Sequence, residues 1–171
     1  TGKNLGSISI GDGVVHLDQQ ADATGQQAFA NAELVSGRGT LILANNKQVP
    51  SLEHISFGYR GGRLDLNGNA FSTTAIKHED DGATIVNHAS TPASLSLTGL
   101  SLTDDQKPIS SFAGTLGETD PKQKNGELNI IYAPTARPDK SVLLLTGGSQ
   151  LNGDLRVNAG TLHLSGRPKT H

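Results

Sequence analysis

His78, Glu79, Asp80 and Asp81 stand side by side. Carboxylate oxygens beside an imidazole could hold Ca²⁺ or move protons. The run matches no EF-hand spacing, and adjacent side chains on an extended chain point to opposite sides. A solvated turn is the simpler reading. A second gathering lies in FGYRGGRLDLNGNAF, Phe57 to Phe71, where Tyr59, Arg60, Arg63, Asp65, Asn67 and Asn69 crowd one span. The pairs Asp104–Asp105 and Glu118–Asp120 sit in polar stretches, where nothing would raise a carboxyl pKa. His16, His54, His78, His88, His163 and His171 are scattered and form no H-E-x-x-H pair, so each reads as a surface or strand-edge residue.

Nucleophile and cofactor signatures are equally thin. There is no G-x-S-x-G elbow and no G-x-x-x-x-G-K-[ST] phosphate loop, and GDGVVH and GRGTLI lack the third glycine of a dinucleotide fingerprint. The sequence nominates no catalytic residue, no metal ligand and no cofactor.

The elements that would position any site are short and β-like. A small unit recurs as GVVHL (13–17), GTLIL (39–43), GRLDL (62–66), GELNI (126–130), GDLRV (153–157) and GTLHL (160–164). Its apolar third and fifth residues follow the strand period of two, so one face turns inward. On this reading Leu41, Leu43, Leu64, Leu66, Ile85, Leu128, Ile130, Leu155, Val157, Leu162 and Leu164 build the core ladder. His16, Arg63, Asp65 and His163 fall outward, and Gly61, Gly62, Gly68 and Gly153 mark tight turns. The first three units start at 13, 39 and 62, and the similar ATIVNH starts at 83. A loose repeat of this length signals a solenoid.

The chain of 171 residues has 21 glycines, 4% aromatic residues and no cysteine. Such a composition suits a narrow, turn-rich interior. The predicted fold is all-β: a right-handed, single-stranded parallel β-helix, with an antiparallel sandwich as its rival. One β-helix segment over 1–171 is expected, with loop excursions at 103–125 and 133–140. Residues 19–35 read as loop. The net charge of −2 lacks the basic footprint of a nucleic-acid binder, and no apolar run suits membrane insertion.

ISFGYRGGRLDLNGNAF (55–71) resembles the passenger region of the serine protease autotransporters of Gram-negative bacteria, the IgA1 proteases among them. The resemblance continues through IKHEDDGATIVNH (76–88), FAGTLGETDP (112–121), NGELNIIYAP (125–134) and LLLTGGSQLNGDLRVNAGTLHLSGRP (143–168), and reaches upstream to GDGVVHLDQQAD (11–22) and ELVSGRGTLILANNKQV (33–49). It implies a stalk segment of a longer passenger, joined in one chain to a chymotrypsin-like protease domain and an outer-membrane barrel. It also implies delivery to the cell surface or the medium through a pore that disfavours disulfides. The nucleophile motif GDSGS is absent, since Val14 follows Gly11–Asp12–Gly13, so no catalytic residue carries over. The usual ending GRPTPHA is matched by Gly166, Arg167 and Pro168 but not by Lys169–Thr170–His171.

Three functions follow as expectations. The first is a structural stalk. The second is an adhesive or self-associating surface acting on a host protein or another copy through loops. The third, a polysaccharide lyase, is disfavoured by the scattered Lys and Arg.

Overall fold

A computed structural model of the chain describes residues 3–20, 28–99 and 109–167. Sixteen strands and one short 3₁₀ turn make up the regular structure among these residues. Every strand pairing is parallel. The expected parallel β-helix is therefore what the chain forms, and the antiparallel sandwich is excluded.

The coil has three faces. The first carries β1 (Ser7–Ile10), β3 (Asn31–Leu34), β5 (Ile55–Phe57) and β8 (Lys77–His78) in one sheet, and β11 (Ile109–Phe112), β14 (Val142–Leu145) and β16 (Thr161–Leu164) in the next. The two sheets are joined at their edges: the Ala113 N–H donates to His78 Nε2 at 3.0 Å, and the His78 and Phe112 rings meet edge-on at 5.0 Å. The second face stacks β2 (Gly13–Leu17), β4 (Gly39–Leu43), β6 (Arg63–Asp65), β9 (Thr84–Val86) and β12 (Thr115–Leu116). The third stacks β7 (Ala70–Thr73), β10 (Ala93–Leu97), β13 (Leu128–Tyr132) and β15 (Leu155–Val157).

Register explains the repeat seen in the sequence. Gly13 lies beside Gly39, Leu41 beside Leu64, and Leu64 beside Ile85. The intervals between units are thus coil lengths. Leu41, Leu43, Leu64, Leu66, Ile85, Leu116, Leu128 and Ile130 are buried along the interior. Removing each such side chain from water contributes roughly 1.5–3 kcal/mol.

Corners are fixed by close backbone approach. A Cβ on Gly62 would sit 2.0 Å from the Gly39 carbonyl oxygen, and one on Gly153 would sit 2.4 Å from that of Leu128. These two glycines are needed for space between coils, and Gly68, at φ +73° and with a Cβ position 2.9 Å from the Thr91 Cβ, is needed for conformation as well as space. Amide side chains close the remaining gaps. Buried Asn87 donates to the carbonyls of Thr91 and Glu127 and accepts from the N–H groups of Gly68 and Ala89.

Two loop assignments change. Residues 31–34, expected as loop, form β3 because Ala32 and Leu34 alternate inward while Asn31 and Glu33 face out. Within 103–125, residues 109–112 and 115–116 are strands, with Phe112 and Leu116 buried. Asp104 and Asp105 lie outside the described residues. Residues 133–140 contain no strand and close through the Arg137 carbonyl, which accepts from the N–H groups of Lys140 and Ser141.

Candidate functional site

The densest polar constellation is built by three consecutive coils on the second face. β6 supplies Arg63 and Asp65, the segment after β9 supplies His88, and the segment after β12 supplies Glu118. Glu118 is 1% exposed and Asp65 3%. Arg63 Nη2 donates to Glu118 Oε1 at 3.0 Å, and Arg63 Nε makes an ionic contact with Oε2 at 3.0 Å. No hydrogen bond forms along the Nε–H direction, so the first contact fixes the guanidinium. His88 Nε2 lies 2.6 Å from Glu118 Oε2. On the other side, Nδ1 is 3.5 Å from Asp65 Oδ2, too long for a tight hydrogen bond.

Electrostatics set the protonation pattern. Burial pushes the Glu118 carboxyl up, but the Asp120 N–H, His88 and Arg63 outweigh it and hold the group below its ordinary 4.5. Glu118 is then an ionised acceptor, which makes His88 Nε2 a donor. Asp65 Oδ1 accepts the N–H groups of Asn67 and His88 at 2.8 and 3.1 Å. The cluster's oxygens are thus engaged by neighbouring backbone and side chains. Its geometry ties three coils together.

Arg63 and Asp65 stand on the outer side of the coil as expected, but neighbouring segments cover them, and His88 and Glu118 are drawn out of solvent with them. The unit GRLDL has apolar Leu64 and Leu66 in the core as expected, but Asp65 is covered as well. The segment after β12 folds across it, and Glu118 enters with its charge matched by Arg63 and His88. No single strand carries that signal. It appears only when coil register brings residues 63, 88 and 118 together.

The remaining candidates separate. His78 accepts from Ala113 at Nε2, so its proton is on Nδ1, toward the Ile76 carbonyl at 3.0 Å. Asp80 accepts from the Arg60 N–H at 3.0 and 3.1 Å and from the Gly82 N–H at 2.8 Å. Among the described residues no three His, Asp or Glu side chains are grouped to hold a metal ion. His16 and His163 are exposed on their strands. His54 is exposed as well, with Nδ1 3.1 Å from Asn31 Oδ1. His171 lies outside the described residues. Within the core set, Leu155 and Leu162 are half-buried, and Val157 and Leu164 are 43% and 58% exposed. Those four continue the ladders in register with Ile130, Leu143, Tyr132 and Leu145, but β15 and β16 are edge strands among the described residues. No described coil covers them, which is why Val157 and Leu164 are exposed although their register continues the interior ladders. Gly61 packs against Phe57, where a Cβ would come within 2.7 Å of that side chain's own Cβ.

The chain is similar to known proteins over almost all its length. The PIC/HAP1/IgA0 second beta-solenoid repeat region matches residues 126–171. The adhesion and penetration protein autotransporter of Haemophilus influenzae is 45% identical over 183 residues, covering 99% of this chain and 13% of that protein. The immunoglobulin A1 protease autotransporter of the same organism is 32% identical over 253 residues, covering 100% of this chain and 16% of that protein. The crystal structure of the Haemophilus influenzae Hap adhesin superposes with a TM-score of 0.87 at 43% identity, over 98% of this chain and 19% of that one. The chain thus spans about a sixth or less of the curated relatives it matches. With the solenoid geometry and these matches together, the chain belongs to the passenger β-solenoids of the serine protease autotransporters.

Proposed function

We propose that this segment is a stalk: it carries mechanical continuity along an autotransporter passenger and catalyses nothing itself. The observation supporting this most directly is the in-register interior ladder Leu41–Leu64–Ile85–Leu116, one rung per coil, locked from outside by the Arg63–His88–Glu118 contacts. An elongated, repetitive core of this kind transmits order from coil to coil, since each repeat is stabilised by its neighbours. The whole protein, on this reading, is a chymotrypsin-like serine endopeptidase of the IgA1 protease type, with protease domain, stalk and outer-membrane barrel in one chain. The stalk stands at the cell surface or in the medium.

The test has two parts. The coding sequence upstream of Thr1 is read for Gly-Asp-Ser-Gly-Ser, and the segment and the full passenger are compared for peptide hydrolysis. Activity in the full passenger that disappears with serine replacement, and none in the segment, supports the proposal. Hydrolysis by the segment alone overturns it.

A second reading, adhesion to a host protein or another copy, is favoured by one observation: residues 133–140 leave the strand pattern without adding a rung. Shortening that loop and measuring binding to immobilised matrix proteins separates the two. Unchanged binding removes the loop from consideration.

A further inference from the structure

The corner joining the first and second faces is short in two coils: two residues, Gly11–Asp12, between β1 and β2, and two, Ala113–Gly114, between β11 and β12. In the three intervening coils it lengthens to 35–38, 58–62 and 79–83. The lengthened corners enclose an open groove of about 840 Å³ lined by Ser36, Arg38, Tyr59, Arg60, Asp80 and Asp81, with Gly37 and Gly82. That volume lies within the range of small-ligand sites, about 300–1,000 Å³. Insertions grouped on one side of a solenoid are where such folds bind partners.

Two residues of this groove have no structural reason for their identity. Tyr59 is 76% exposed, in a chain whose other tyrosine, Tyr132, is buried. Arg60 has φ +54°, a conformation glycine adopts without strain. Its backbone is clamped: its N–H donates to both Asp80 oxygens, and Gly37 and Gly82 make room for it, since a Cβ on either would meet Arg60 main-chain atoms at 3.1 and 2.5 Å. Its side chain is exposed and has no partner among the described residues. An arginine held in a strained backbone with its guanidinium free fits a site built in advance for a ligand.

We infer that this corner binds an acidic pyranose, a sugar ring bearing a carboxylate, with Tyr59 stacking on the ring, Arg60 receiving the carboxylate, and Arg38, held by an exposed ion pair to Asp12 at 3.5 Å, standing beside it. The lining contains one aromatic ring, hydroxyl and carboxylate acceptors and no aliphatic side chain, whereas peptide-binding grooves anchor apolar side chains. Two arginines offset by Asp80 and Asp81 lack the cationic surface that a nucleic acid requires. Guanidinium forks match a carboxylate bidentately. Asp80 is spent on the Arg60 and Gly82 N–H groups, so the cationic side faces the ligand's acid.

The segment contains no tryptophan, so its tyrosine fluorescence reports on Tyr59 against a buried Tyr132 background. Titrations use methyl glucuronide, the methyl glycoside of N-acetylneuraminic acid, methyl glucoside and N-acetylglutamate amide, with saturation-transfer NMR as a second readout. Saturable binding of at least one acidic sugar is expected, with the neutral sugar and the glutamate derivative weaker by about tenfold or more, the scale of one charge-assisted hydrogen bond. Tyr59→Ala should weaken the acidic sugar about tenfold, while Tyr59→Phe, followed by NMR, stays within about threefold because the stacking face remains. Arg60→Ala should bring the acidic sugar down to the neutral sugar's affinity, and Arg60→Lys should fall between, with melting curves confirming that each variant folds. No saturation transfer from either acidic sugar at tens of millimolar overturns the inference. So does equal binding of the neutral sugar, equal binding of the glutamate derivative, or insensitivity to both alanine variants.

Discussion

Replacing Glu118 by alanine removes the centre of the three-coil charge cluster. Four contacts disappear: Arg63 Nη2 and Nε, His88 Nε2 and the Asp120 N–H. Breaking a buried ion pair by deleting one partner costs about 3–5 kcal/mol. The Arg63 and His88 side chains keep 19% and 22% of their exposure, so water partly replaces the lost carboxylate. That puts Glu118→Ala near the low end, about 3 kcal/mol. A chain of this size loses about 2–4 °C of Tm per kcal/mol, so the expected fall is roughly 6–12 °C. Glu118→Gln keeps the shape and the Asp120 contact but not the charge, and should lose about 2 kcal/mol. A double-mutant cycle with Arg63→Met should return a coupling of about 1–3 kcal/mol. The pH dependence has a definite sign. Glu118's carboxyl is below 4.5 in the folded state, so its contribution is fully present above pH 4.5 and fades as pH falls through the lowered value. The gap between wild type and Glu118→Gln should therefore narrow in acid. A destabilisation under about 0.5 kcal/mol, the level of an ordinary surface substitution, together with no coupling to Arg63, would refute the cluster as an inter-coil lock.

Leu66→Asp places a charge where the wild-type side chain is fully buried, and should cost about 4 kcal/mol or more, whereas Leu164→Asp at an exposed edge should cost under about 1 kcal/mol; denaturant melts compare them. Gly62→Ala drives a Cβ to 2.0 Å from a backbone oxygen of the neighbouring coil, so a loss of about 3 kcal/mol or outright failure to fold is expected, read by circular dichroism. His78→Ala removes the acceptor for Ala113 and the Phe112 ring contact, and should speed hydrogen exchange at Ala113 by about tenfold or more while distant β4 amides stay protected.

What the sequence made legible follows from locality. Units such as GTLIL and GRLDL carry period-two alternation within five residues, and the intervals between 13, 39, 62 and 83 are coil lengths, so solenoid, strands and most core leucines could be read directly. β3 was hidden because NAEL has only two apolar positions, and its burial depends on Ile10 and Phe57 in adjacent coils. Asp65, His88 and Glu118 were hidden for a stronger reason. Each is unremarkable polar sequence, and only inter-coil register, unavailable within any one strand, places them in contact. Val157 and Leu164 show the converse. Their pattern is a core pattern, but burial also requires a covering coil. Tyr59 and Arg60 belong to the polar gathering of Phe57 to Phe71, and the structure locates them on the lengthened corner.

Register is the claim on which the account stands. Ser72 of β7 pairs with Ser96 of β10, both small and on the outward side, while Ser94 lies opposite Ala70. Adjacent strands are about 4.8 Å apart and residues advance about 3.3 Å, so Ser72 and Ser94 stand about 8 Å apart, beyond disulfide reach. The native chain has no cysteine to interfere. Under mild oxidation, Ser72→Cys with Ser96→Cys should crosslink within the monomer, and Ser72→Cys with Ser94→Cys should not. Crosslinking of the second pair in preference to the first would contradict the parallel, in-register solenoid.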